Sequence, residues 1–422
     1  LIHYILNGIW VLLEGNTGTS KTRTVLVACN YIKNFIKNKN EKEKERKLIR
    51  YNLSAETKID DLVAKYVSDK KTIVGLKVKE GPFVEAYKNG NILLLDELNL
   101  ASSSVLQCIQ QPLDNGEISL EINGNCLLKI NQNEKFAIIA TQNPNKGAFI
   151  GKRQELSQVF LSRFVKIHFP DISKDEMEHI AFGIAANKKY KNEKLLKEIV
   201  NLHFDLINWT KTMNKGEESQ IDYQCFTIRE IESVIDCLSN EEFNEDILNI
   251  IMTIYGGRFK QDKKDELKNI LKDSKYQILK NPKAMDNILP KDFPECFINK
   301  ALVQTVSSVL LALKNKRNVI IIGNYESGLT QVAEWCSKYF NKITNQNNSE
   351  NIKGESYICF CTKNLECSDM IGSEKITGND NELIKFYPRF LYNAIKEGNC
   401  VVLDSIDEAP SRVIERLNGL LD

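Results

Sequence analysis

No stretch of this chain reaches roughly 18 consecutive apolar residues, so the sequence offers no membrane-spanning helix. No charged segment, apolar run and cleavage site open it, so the first residues do not read as a secretory leader. Neither sign of charge dominates: 57 Lys and Arg stand against 56 Asp and Glu. That balance removes the basic footprint of a protein that binds a polyanion, and no direct nucleic-acid partner is expected. The densest charged run, EKEKERK at 41–47, mixes both signs and reads as a solvated helix end or loop. Eleven cysteines lack paired spacing, and no histidine lies near the CFC at 359–361. The reading is free thiols in a reducing compartment rather than a disulfide framework or a metal site.

What is present begins with a repeat. Gly15 in LLEGNTGTSKT and Gly323 in IIIGNYESGLT lie 308 residues apart. The same offset relates Asp61 to Asp369, Gly90 to Gly398 and Asp96 to Asp404. The expectation is one complete copy of a repeat and the first third of a second, taken from a longer polypeptide.

Short apolar runs at 9–15, 48–54, 91–97, 136–142 and 164–169 alternate with helical patterns, which argues for a parallel sheet covered by helices on both faces. Two period-two segments, 70–81 and 116–130, interrupt the alternation and read as inserted hairpins. From 173 onwards the strand signal stops and the pattern is helical, as in FTIREIESVIDCL at 226–238. Prolines at 282, 290 and 294 mark a linker, and NQNNSEN at 345–351 is an unpatterned polar loop. The expected division is an α/β nucleotide-binding unit at 1–172, an all-helical lid at 173–280, a linker at 281–300, and a truncated, degenerate second α/β unit at 301–422.

GNTGTSKT, residues 15–22, has the makings of a phosphate loop. Backbone N–H groups of Gly15, Asn16, Thr17, Gly18, Thr19 and Ser20 would cradle phosphates, Lys21 would reach the terminal ones, and the Thr22 hydroxyl would meet Mg2+. Ser20 stands where the strict pattern has glycine, and its Cβ is accommodated if φ stays negative. ILLLDE is a buried strand ending in two acids, an arrangement in which Asp96 holds the magnesium shell and Glu97 activates water. ATQNP places Asn143 at a third strand end, where an asparagine also serves as a turn former.

Together with GPFVEAYKNGNILLLDELNLAS, FAIIATQNPNKGAF, KRQELSQVFLSRF, FTIREIESV and IYGGRF, these stretches resemble the midasin-like branch of the dynein-related AAA+ ATPases, over nearly the whole chain. The resemblance implies a P-loop AAA+ fold with ATP and Mg2+ as ligands. It implies that Asn143 is sensor 1, that Arg163 in LSRF is an arginine finger serving a neighbour, and that Arg229 in FTIRE is the sensor 2 arginine of the lid, with Arg153 a weaker candidate. The inserted hairpins resemble those that touch neighbours or substrate. Implied partners are neighbouring AAA+ modules of the same longer chain in a ring, and a protein substrate such as a preribosomal assembly factor of the large ribosomal subunit. The implied compartment is nuclear or nucleolar, otherwise cytoplasmic.

In the second copy Leu329 replaces the phosphate lysine and Ser405 the carboxylate after Asp404, so that copy is expected not to hydrolyse ATP. The finger for the first site would come from a neighbour, so the chain by itself is expected to bind ATP and hydrolyse it slowly. Two other readings stay open: another dynein-related protein (a motor, a ubiquitin ligase with a dynein-like core, or a MoxR-like chaperone), and a scaffold that binds ATP without hydrolysing it.

Overall fold

A computed structural model describes residues 1–38, 46–55, 57–68, 76–122, 125–144, 155–216, 226–239, 247–259, 261–271, 300–324, 326–345, 357–376, 384–411, 413–414, 417 and 420. The expected linker at 281–300, all but its last residue, lies outside them, as do Arg153 and most of the polar loop at 345–351.

The chain opens with α1 (Ile2–Leu6), β1 (Val11–Gly15), α2 (Lys21–Asn38) and β2 (Leu48–Asn52). Next come α3 (Ile59–Leu62), β3 (Ala64–Ser68), β4 (Leu76–Glu80), α4 (Pro82–Asn89) and β5 (Ile92–Asp96). Then follow α5 (Ser103–Asn115), β6 (Glu117–Ile122), β7 (Asn125–Asn131), β8 (Ala137–Gln142), α6 (Gln158–Leu161) and β9 (Val165–Phe169). Five strands form a parallel sheet in the order β2-β5-β8-β1-β9. Side-chain alternation divides its apolar residues between two layers. Leu12, Leu93, Leu95 and Ile138 meet Phe83 and Tyr87 of α4 and Val105 and Ile109 of α5. Val11, Leu13, Leu94 and Ile139 meet Val25, Ala28 and Ile32 of α2. Burial on both faces is what makes the first four residues of ILLLD apolar.

Two antiparallel hairpins stand outside this sheet, β3 with β4 and β6 with β7. The first begins earlier than the 70–81 segment suggests. AKYVS at 64–68 is too short to distinguish from a helix end by periodicity, and pairing with β4 settles it as a strand.

Helices α7 (Lys174–Asn187), α8 (Glu193–Gly216), α9 (Ile228–Ser239), α10 (Ile247–Ile254) and α11 (Gln261–Leu271) follow. They share two apolar clusters, one around Met177, Leu196 and Ile231 and one around Leu202, Val234, Tyr255 and Leu267. Inside the second cluster His203 is fully buried, its Nδ1 3.0 Å from the Tyr255 hydroxyl. Burial holds the imidazole down to about 4, against a smaller upward pull from Glu230. A depressed folded value means that the unfolded chain binds the proton more readily. Stability is therefore full above about pH 6.5 and falls as pH drops towards 4. A loss of about 2 kcal/mol is expected between pH 7.5 and 5, read from urea midpoints, with a smaller pH-dependent loss in His203→Leu.

The remaining elements are α12 (Lys300–Lys314), α13 (Leu329–Asn345), β10 (Tyr357–Phe360), α14 (Cys367–Met370), β11 (Gly372–Ile376), β12 (Ile384–Pro388), α15 (Phe390–Glu397) and β13 (Val401–Asp404). The 308-residue offset holds in four elements: α14, β11, β12 and α15 start and end 308 residues after α3, β3, β4 and α4, whereas 319–323, the counterpart of β1, is not a strand. β10 pairs in parallel with β13 as β2 does with β5. α12 touches both units: Leu311 joins the cluster around Tyr255, Val306 and Leu310 pack on Val332 and Cys336 of α13, and Arg317 beyond its end pairs with Asp236 of α9. Of the CFC thiols, burial pushes Cys361 up to about 11 and also raises Cys359. Among the described residues no group of His, Cys, Asp and Glu could hold a metal by itself, and no helix is long and apolar enough to cross a membrane.

Candidate nucleotide site

The parallel register brings the candidate residues to one edge of the sheet. Leu13 of β1 lies beside Thr141 of β8, Leu95 of β5 beside Ala140, and Asn52 of β2 beside Asp96. The turn after β1, the acids ending β5 and Asn143 just past β8 therefore meet at the carboxyl ends of the strands, where open α/β sheets bind ligands.

Between β1 and α2 the backbone turns sharply. A Cβ on Gly15 would lie 2.6 Å from the Phe169 carbonyl oxygen, so only glycine lets β1 and β9 run together there. Gly18 has φ +84°, and a Cβ on it would lie 2.7 Å from Cβ of Thr227. Ser20 has φ +62°, which corrects the expectation of a negative angle. The loop demands a left-handed residue at this position whatever its side chain, at a cost of about 1–2 kcal/mol for a non-glycine. The second repeat makes the same demand with the residues exchanged: Glu326 at φ +62° and Gly328 at +76° stand at the counterparts of Gly18 and Ser20.

Lys21, the first residue of α2, is buried, and its Nζ donates to the carbonyls of Gly15 at 2.7 Å and Asn16 at 2.9 Å and to Oδ1 of Asn143 at 2.7 Å. Asn143 in turn donates through Nδ2 to Oε1 of Glu97. One amide thus links the loop cation to the acid that follows β5. Glu97 has φ +57°, strain of about 1–3 kcal/mol of the kind found at functional sites. Thr19 donates to the Asn16 carbonyl at 2.8 Å, and the Asn16 side chain donates to Asp171 beyond β9 at 2.7 Å, tying the loop to its neighbouring strand. Thr17 is exposed at the turn.

Asp96 receives two hydroxyls on Oδ1, from Thr22 at 3.1 Å and Thr141 at 3.0 Å. Its Oδ2 accepts from Nε of Arg50 at 2.6 Å. Thr141 also accepts from the Glu97 N–H at 3.1 Å, and Asn99 donates to the Asn143 carbonyl at 2.8 Å. The pairing of one hydroxyl with one carboxylate, both hard oxygen donors, fits Mg2+, which keeps most of its waters and takes few protein ligands beside substrate phosphates. Thr22 and Asp96 would hold it.

The arginines divide. Arg229 is exposed in the first turn of α9, two residues beyond Thr227, the residue that closes on Gly18. Thr227 starts that helix with its N–H and hydroxyl donating to Glu230 at 2.6 and 3.0 Å, a capping arrangement that fixes the helix start against the loop. Arg163 is not brought to this edge: it forms a two-pronged pair with Asp114 at the end of α5, 2.7 Å on each side, and donates to the Val159 carbonyl.

Sequence reasoning passed over Arg50, Thr141 and Thr227. Thr141 lies two residues before Asn143, and strand alternation puts both on one face. Arg50 is a lone cation in LIRYN, two positions before the residue that registers with Asp96.

The model of the AAA domain, dynein-related subfamily, matches residues 10–164 and 318–422, stretches that start 308 residues apart. Midasin from Dictyostelium discoideum is 26% identical over 439 residues, covering 96% of this chain and 7% of that protein. Midasin from Giardia intestinalis is 31% identical over 178 residues, 42% of this chain and 3% of that one. An uncharacterized protein of Bacillus subtilis is 25% identical over 211 residues, half of this chain and 62% of that one. This chain therefore spans less than a tenth of the length of either midasin. Matched by one family model in both of its repeats, and holding the loop lysine, strand-end acids and asparagine together at one sheet edge, the chain belongs to the dynein-related subfamily of AAA domains.

Proposed function

We propose that the first repeat binds ATP with Mg2+ and hydrolyses it to ADP and phosphate, as one module of a midasin-like remodelling ATPase. The observation that carries this reading is the hydrogen-bonded line from Lys21 through Asn143 to Glu97, beside Thr22 and Asp96. Lys21 would bind the terminal phosphates, Glu97 would take the proton of the attacking water, and Asn143 would hold that water in line. Bound Mg2+ would neutralise charge on the phosphate oxygens. Arg229 would approach the phosphates as α9 closes on Gly18, and Arg163 would exchange Asp114 for the nucleotide of a neighbouring module.

The second repeat is proposed as a ring member that does not hydrolyse ATP. Leu329 and Ser405 remove the cation and the base, while Thr330 still donates to Asp404 at 3.0 Å. The matches to two midasins support a place for the chain in a ring of such modules; a protein substrate, with preribosomal assembly factors of the large subunit as clients, is proposed on the motif resemblance alone. A nuclear or nucleolar compartment and the absence of a nucleic-acid partner are part of the same proposal.

Titration with a fluorescent ATP analogue and magnesium tests the core of it. Saturable binding is expected, lost by at least about tenfold in affinity in Lys21→Ala and unchanged in Leu329→Ala. Binding that survives Lys21→Ala would overturn the assignment to the first repeat.

A further inference from the structure

We propose that Arg50 is a positioning residue that sets the magnesium requirement of the first repeat, by holding the Asp96 carboxylate against the metal until nucleotide brings phosphates to the site. The proposal rests on the reading of Asp96 as the magnesium carboxylate. Arg50 lies on β2, the edge strand, and reaches along the sheet face to Oδ2 of Asp96 at 2.6 Å. Charge-assisted bonds of this length are among the stronger ones a carboxylate makes. Asp96 is buried while the Arg50 side chain is 38% exposed, so the pair joins a sheltered carboxylate to a partly exposed cation.

The other oxygen is already engaged by Thr22 and Thr141. A metal-bound water that turned to Asp96 would meet Oδ2 beside the Arg50 guanidinium, which carries a positive charge that a dication repels. Metal would thus meet a carboxylate whose charge the guanidinium already offsets, so the site needs the counter-charge of phosphates, and more magnesium than Asp96 without Arg50 would require. Arg50 thereby raises the magnesium concentration at which the site takes up the magnesium–nucleotide complex.

The second repeat supplies an internal comparison. The counterpart of Arg50 is Ile358 on β10, which registers beside β13 as Arg50 does beside β5, and Asp404 keeps its hydroxyl partner Thr330. The cation is missing from the copy that also lacks the loop lysine and the second acid, and present in the copy that has both.

The test is the affinity of the whole chain for a fluorescent ATP analogue as magnesium is titrated from an EDTA-buffered zero, in the unmodified protein, Arg50→Gln, Arg50→Ile and Arg50→Lys. The magnesium midpoint is expected to fall by about tenfold in Arg50→Gln and Arg50→Ile and to stay within about twofold of the original in Arg50→Lys. Affinity in EDTA should be unchanged in all three, which a merely unfolded or loosened strand would not allow. A midpoint that stays or rises on removal of the charge, or a lower affinity in EDTA, would overturn the role of Arg50. Asp96→Asn in the same titration separates the two claims: if it leaves the magnesium dependence unmoved, the reading of Asp96 itself fails, whatever Arg50 does.

Discussion

Glu97→Gln should leave nucleotide bound and slow its hydrolysis by about a hundredfold to ten-thousandfold, the range that a positioned general base contributes. The substitution is close to isosteric. A glutamine carbonyl can still accept from Nδ2 of Asn143, so the line back to Lys21 survives. The left-handed backbone at Glu97 tolerates either residue equally, since the strain belongs to the φ angle and not to the side-chain charge. What disappears is the group that can take a proton. Single-turnover hydrolysis with protein in excess reads this even where turnover is slow, and the analogue titration reads binding in parallel. Equal loss of both would mean that Glu97 serves the architecture of the site. Unchanged hydrolysis would remove it from the chemistry and favour a scaffold that merely holds ATP.

Gly18→Val should break the contact between the loop and the helix that starts at Thr227. Valine is branched at Cβ and takes φ near +84° only at a cost of about 1–3 kcal/mol. Its Cβ would also lie 2.7 Å from Cβ and 2.9 Å from Cγ2 of Thr227. The helix that starts there must move away or the loop must deform, and either change separates Arg229 from the phosphate loop. We expect a stability loss of about 2–4 kcal/mol and loss of measurable nucleotide binding. Thr227→Gly in the same chain separates the two causes. It removes the opposing carbon at a cost of a few tenths of a kcal/mol at a helix start, so it should restore part of the stability while the strained φ remains. No recovery would mean that the close approach of loop and helix is incidental.

The five strands of the first sheet lie within a residue or two of the apolar runs that announce them: the central β1, β5 and β8, buried along nearly their whole length, leave the densest apolar record, and the edge strands β2 and β9 an interrupted one. Their spatial order leaves no such record; it depends on which edges pair. The same limit applies at the site. Lys21, Thr22, Asp96, Glu97 and Asn143 are legible because each sits beside its own strand end in a local pattern. Arg50 reaches Asp96 across 46 positions of sequence and Thr141 across 45, so only the strand register brings them there. Set against Gly328 in the second repeat, Ser20 stands where the loop takes a left-handed residue, a signal that lies in the repeat and not in the local pattern. Arg163 shows the opposite case, in which a residue type readable in sequence is held by Asp114, 49 positions away.

The residue after each strand-end aspartate is left-handed in both repeats, φ +57° at Glu97 and +56° at Ser405. The same bend thus presents an acid in one repeat and a hydroxyl in the other. In a duplicated domain the mount and the reagent are thus separable: one backbone shape is kept while the side chain on it differs. Arrays of such copies can redistribute activity among their members by exchanging a few side chains on one inherited frame.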